Sequence, residues 1–114
     1  MKLSLLCILA GCSSGASWPT TGGNPARGRT AIEAHGCLAC HEIPDADGPR
    51  GKVGPSLEGF AQRTFIGGEL PNTPDNLVHW VQDPHALIPR TAMPSVNLTP
   101  EEARDVAAYL YTLD

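Results

Sequence analysis

Aromatic residues are scarce in this 114-residue chain, with two tryptophans, two tyrosines and two phenylalanines. A single small domain with so few large rings cannot build a sizeable core from side chains alone. Lysine is scarcer still: it stands only at positions 2 and 52, and no basic run occurs. With a net charge of −4, this excludes the electrostatic footprint of a nucleic-acid-binding protein. No stretch carries a convincing strand pattern. What the chain has in plenty is glycine and proline, 12 and 11 residues, the residues of turns and helix boundaries.

The first residues read as an address. Lys2 is followed by an apolar run from Leu3 to Ala10, the charged start and hydrophobic stretch of a secretory signal. The run falls far short of the roughly 20 residues a spanning helix needs. Its ending, Leu9-Ala10-Gly11-Cys12, resembles the lipobox of bacterial lipoproteins. That resemblance implies cleavage before Cys12 and lipidation of Cys12. Ordinary cleavage after Ser14-Gly15-Ala16 is the alternative. The expected division is a signal over 1–11, a lipidated N-terminus and flexible Gly/Ser-type tether over 12–23, and a folded domain over 24–114. Trp18 reads as an incidental aromatic of the tether. Cys7 leaves with the signal.

Helix punctuation is clear at three places. Asn24 and Pro25 suit the cap and first position of a helix that Gly36 stops, although Arg27 and Arg29 oppose its N-terminal dipole. Thr73, Pro74 and Asp75 open a second helix that Pro84 halts, with Leu77, Trp80 and Val81 on one face. Thr99 and Glu102 form a capping box around Pro100, followed by a buried stripe of Val106, Tyr109, Leu110 and Leu113. A short helical turn fits 56–61. Long irregular stretches, roughly 42–55 and 84–98, separate these elements. Loops of that length in so small a domain call for a function. Three modest helices cannot organise them unless something bulky and apolar sits in the middle.

Residues 36–42, GCLACHE, supply the candidate. C-x-x-C-H is the attachment signature of a c-type haem. Cys37 and Cys40 would form the thioether links, and His41 the iron's proximal ligand. A structural zinc site would want a second paired set of Cys or His, which His35, His79 and His85 do not provide. A thioredoxin-like redox motif would want strands around it, and a plain disulfide across the pair is the remaining alternative. Once the signal is removed, Met93 is the single methionine left. It sits in a proline-flanked loop, TAMPSVNLTP, with no helical face to fill, and is the candidate sixth ligand. His85, His35 or an open position are its rivals, and His79 reads as a solvated residue.

The stretches GCLACHE, VGPSLEGF and TAMPSVNLTPEEARDVAAYL, in this order, resemble a class I (mitochondrial cytochrome c-like) monohaem cytochrome over about residues 24–114. The segment GGELPNTPDNLVHWVQDPHALIPRTAMP is similar to the cytochrome c domain fused to subunit II of some haem–copper cytochrome c oxidases. The resemblance implies an all-α, small cytochrome c fold, three to four helices wrapped around one covalently bound haem c with its iron. It implies that the Pro55 carbonyl accepts a hydrogen bond from His41, and that Gly28 and Ile32 cross the last helix near Val106 and Tyr109. Trp80 and Arg63 are its candidates for holding haem propionates, against plain core packing for Trp80 and a solvated charge for Arg63. Many relatives dock partners through a ring of lysines. Here Lys52 alone remains, so an apolar patch at the haem edge is the expected docking surface.

The expected role is electron transfer without enzymatic turnover. The chain would be anchored to a membrane through Cys12 on the extracytoplasmic side of a bacterial cell envelope. A quinol-oxidising complex and a terminal oxidase are the expected redox partners, and the chain would be a monomer or a complex subunit. Two other readings stand beside this one: a haem protein whose labile sixth ligand admits a gas or peroxide, and a fixed cytochrome subunit of a dehydrogenase or oxidase.

Overall fold

The computed structural model describes residues 19–114. The signal segment, Cys7, Cys12 and Trp18 lie outside the described residues. Helix α1, Pro25–Ala34, begins where expected: the Asn24 side chain accepts from Arg27 N, and Pro25 occupies the first turn. It ends at His35, and Gly36 follows with φ +79°, the left-handed stop that glycine provides without strain. The two arginines that oppose the dipole both have carboxylate partners. Arg27 pairs with Asp105 at 3.3 Å, and Arg29 with Glu33 and Asp47 at 3.1 and 3.2 Å.

Helix α2, Pro74–Gln82, is capped by Thr73 and buries Leu77, Trp80 and Val81. Pro84 ends it, as its lack of an N–H dictates, but the chain does not become a loop there. Asp83 caps a further short helix, α3, Pro84–Leu87, accepting from Ala86 N. Helix α4, Pro100–Leu110, has the complete capping box: Glu102 N donates to Thr99 Oγ1 and Thr99 N to Glu102 Oε1, each at 3.1 Å.

Helices α1 and α4 cross at Gly28. A Cβ built there would lie 1.9 Å from the Asp105 carbonyl oxygen, so only glycine lets the two backbones approach this closely. The Asp105 side chain is buried, 6 % exposed. It accepts from Asn24 N at 2.7 Å and from Arg27 Nε at 3.3 Å, which satisfies a charge that would otherwise be costly to bury. Thr21 and Gly23, read from the sequence as the end of a tether, also lie on α4. Thr21 Oγ1 donates to Arg104 O, and a Cβ on Gly23 would meet that same oxygen at 2.1 Å.

One expectation needs correction. A minimal antiparallel ladder exists, β1, Phe65–Ile66, against β2, Leu70–Pro71, with Phe65 opposite Pro71 and Ile66 opposite Leu70. Gly67 and Gly68 turn between them with φ of +57° and +74°. Two residues per strand cannot show alternation, so periodicity had nothing to detect. The expected turn near 56–61 is a single 3₁₀ turn, Phe60–Gln62.

Tyr111, just after α4, ties the C-terminus to this middle segment. Its ring packs on Phe60 at 6.1 Å, and its hydroxyl donates to Asn72 Oδ1 at 2.8 Å. Asn72 Nδ2 in turn donates to Arg63 O. Replacing Tyr111 by Phe is expected to cost about 1 kcal/mol at neutral pH. Burial pushes the Tyr111 phenol up to about 12, against about 10 for an exposed tyrosine. The folded state therefore keeps a proton that the unfolded chain releases. Stability is full below about pH 10 and falls, by an amount on the order of 2 kcal/mol, as pH rises towards 12. Denaturant unfolding between pH 8 and 12 checks this: the wild-type advantage over Tyr111→Phe shrinks and then reverses across that window, and a constant gap contradicts the assignment.

Candidate functional site

The site begins at the turn after α1. Cys37–Ala39 form a 3₁₀ turn, with Cys40 N and His41 N both donating to Cys37 O at 3.2 and 3.0 Å. This winding sets Cys37, Cys40 and His41 on one wall of a cavity of about 310 Å³. Both cysteines are free. Burial pushes the Cys37 thiol above its ordinary value.

The stretch 42–55 is irregular but fastened. Gly51 N donates to Leu38 O, Gly54 N to Cys40 O at 2.7 Å, and Leu57 N to Glu42 O. Two glycines make this possible. A Cβ on Gly51 would lie 2.2 Å from Ala39 O, and one on Gly54 would lie 2.4 Å from His41 Cε1. Gly54 thus allows the backbone to lie flat against the imidazole. The next residue fixes the ring: His41 Nδ1 donates to Pro55 O at 2.7 Å. That bond selects the tautomer and leaves Nε2 with its lone pair free for a metal.

Met93 supplies a second donor to the same cavity, with Thr91, Pro94 and Val96 beside it. Its loop is held by Met93 N donating to Thr91 Oγ1 and Thr91 N donating to Ile88 O. Ile32, Leu77, Val81, Val106 and Leu110 bring apolar lining from α1, α2 and α4. Val53 closes one edge and is 85 % exposed.

Trp80 and Arg63 also line this cavity. Trp80 is 8 % exposed and belongs to the core, so core packing and cavity lining are one position. Arg63 is half-buried rather than free in solvent; its guanidinium lies over the Phe60 ring at 5.7 Å and donates to Ser56 O. His85 and His79 are exposed and line no part of this cavity. His35 is engaged elsewhere, with Nδ1 3.0 Å from Val96 O and Nε2 2.7 Å from Glu102 Oε2.

The residues fit a covalently held iron porphyrin. Two free thiols at thioether spacing, an imidazole nitrogen freed by a hydrogen bond on its other side, and a thioether sulfur all border one apolar space. Imidazole with a thioether is a recognised iron-ligand pair. Spacing alone did not single out Gly51 and Gly54; their role depends on which backbones they approach. The Val-Gly-Pro triplet carried the hint.

The comparisons with known proteins agree. The family model for Cytochrome c matches residues 25–114. Cytochrome c oxidase subunit 2 of Alkalihalophilus pseudofirmus is 32 % identical over 88 residues, 76 % of this chain and 25 % of that protein. The chain therefore spans about a quarter of the length of that relative. Cytochrome c2 of Agrobacterium tumefaciens is 34 % identical over 104 residues, covering 77 % of this chain and 90 % of that one. Among solved structures, cytochrome c2 from Rhodospirillum centenum superposes with a TM-score of 0.59 at 28 % identity, over 80 % of this chain and 98 % of that chain.

Proposed function

This chain belongs to the cytochrome c family, and on that premise we propose that it is a membrane-anchored carrier of single electrons in a respiratory chain. It is an electron-transfer protein rather than an enzyme, its fold is the small all-α cytochrome c fold, and its cofactor is covalent haem c with iron. When bound, the haem takes up and releases one electron at its iron. The chain's own residues do the rest. Cys37 and Cys40 would hold the macrocycle by thioethers, and His41 nitrogen and Met93 sulfur would bind its iron. Pro55 orients His41 through its carbonyl, and Trp80 and Arg63 would hold the propionates. The convergence of His41, Met93 and both cysteines on one apolar cavity carries this reading.

The anchor and the partners rest on other support. The lipobox-like ending at Cys12 favours lipidation in a bacterial envelope, and the tether keeps the domain near membrane complexes. Among the described residues no helix is long and apolar enough to cross a membrane. A quinol-oxidising complex as donor and a terminal oxidase as acceptor suit the similarity to an oxidase subunit 2. Val53, exposed at the cavity edge, offers an apolar docking point. Lys52 is the one lysine among the described residues, which leaves no lysine ring for docking.

Met93→Ala tests the ligand set. The ferric protein is expected to lose the weak sulfur-to-iron charge-transfer band and become high-spin. Its reduction potential is expected to fall on the order of 0.2 V, a fraction of the roughly 0.8 V that axial ligands control. A wild-type protein that is already high-spin and binds carbon monoxide rapidly would instead support a labile sixth position.

A further inference from the structure

His35 reaches two elements that matter to the cavity without bordering it. Its ring lies between the Val96 carbonyl and the Glu102 carboxylate, at 3.0 and 2.7 Å. A carbonyl can only accept, so Nδ1 is the donor to Val96. Val96 itself lines the cavity three residues beyond Met93. Glu102 is itself anchored: its other oxygen accepts from Thr99 N in the capping box of α4. Those two interactions, the Thr99 backbone bond first and the His35 contact second, hold the Glu102 carboxyl below its ordinary range.

We propose that His35 is a positioning residue that clamps the Met93 loop to the capped start of α4 and so limits how readily Met93 leaves the cavity. The inference rests on Met93 being the sixth ligand. Elsewhere in the loop, Arg90 pairs with Glu69 through exposed side chains. Met93 N and Thr91 N bond within the loop itself, and Ser95 Oγ reaches Gln82 O at a long 3.4 Å. His35, at the end of α1, fastens it to Glu102 on α4. A molecule that competes for the iron can bind only while Met93 is away, so its apparent affinity scales with the fraction of open protein.

Added imidazole is the probe, titrated into the ferric holoprotein and read from the visible spectrum. His35→Phe removes both hydrogen bonds, and His35→Ala repeats the test without added bulk. Both are expected to bind imidazole on the order of tenfold more tightly than wild type. Two controls separate positioning from general stability. Thr99→Ala loses a cap of comparable energetic weight but leaves His35 on Val96, and its imidazole affinity stays within about twofold. Glu102→Gln keeps an acceptor for Thr99 N and leaves the Nδ1 bond in place, and it too stays within about twofold. His35 variants that bind imidazole like wild type, or a Thr99→Ala protein that shifts as much as they do, overturn the clamp. Met93→Ala distinguishes the two readings: if it binds imidazole no more tightly than wild type, the ligand assignment falls and the clamp with it. If it binds far more tightly while the His35 variants do not, the clamp alone falls.

Discussion

Replacing Cys37 and Cys40 together by serine is expected to yield an exported chain that is colourless and does not fold. The reason is the interior. The helices enclose a cavity of about 310 Å³ lined by Ile32, Leu77, Val81, Val106 and Leu110. Without the macrocycle these apolar side chains would face water or unfilled space, and that loss weighs heavily against the small stability of a domain this size. Without thioethers the cofactor is held only by reversible contacts, and its loss leaves that space empty. Either single serine variant retains one link and is expected to keep part of its colour. Absorbance after denaturation and acid–acetone extraction, together with far-ultraviolet circular dichroism, reads both outcomes. A double variant that melts like wild type would show that the polypeptide organises itself.

Gly28→Ala is the second large effect, and it reverses an ordinary rule. In an exposed helix interior, alanine in place of glycine stabilises by about 1 kcal/mol. At the α1–α4 crossing the added methyl would sit 1.9 Å from Asp105 O and 2.5 Å from its carbonyl carbon. Backbone cannot give way as a flexible side chain does, so the helices must separate. Separation would also pull Asp105 from Asn24 N and Arg27, exposing a carboxylate that is now satisfied. A loss of about 3 kcal/mol or more is expected. Guanidinium unfolding of the holoprotein measures it, and an unchanged or raised midpoint would mean that the crossing tolerates a side chain.

Much of this architecture is legible in the sequence because local chemistry and tertiary structure agree. Asn24-Pro25, Thr73-Pro74 and Thr99-Pro100 each place a capping oxygen before a proline, and each begins a helix in the structure. Cys37, Cys40 and His41 lie so close in sequence that one turn dictates their common wall. Elimination points to Met93 and family likeness to Pro55, and the structure places both at the cavity.

What could not be read depends on pairs distant along the chain. The approach of Gly54 to His41, the burial of Asp105 between Asn24 and Arg27, and the span of His35 from Val96 to Glu102 involve no local pattern. Helix α3 was hidden because Asp83 both ends one helix and caps the next. The β1–β2 ladder is too short to carry a period.

Where the haem is bonded decides the matter most directly. Cleavage after arginine releases Thr30–Arg50, the segment that holds both cysteines of the motif. Mass spectrometry of that peptide from the mature, exported protein is predicted to find it heavier by one haem, with neither thiol open to alkylation. Recovery of the same peptide at its bare polypeptide mass, with Cys37 and Cys40 both alkylated, would contradict the account.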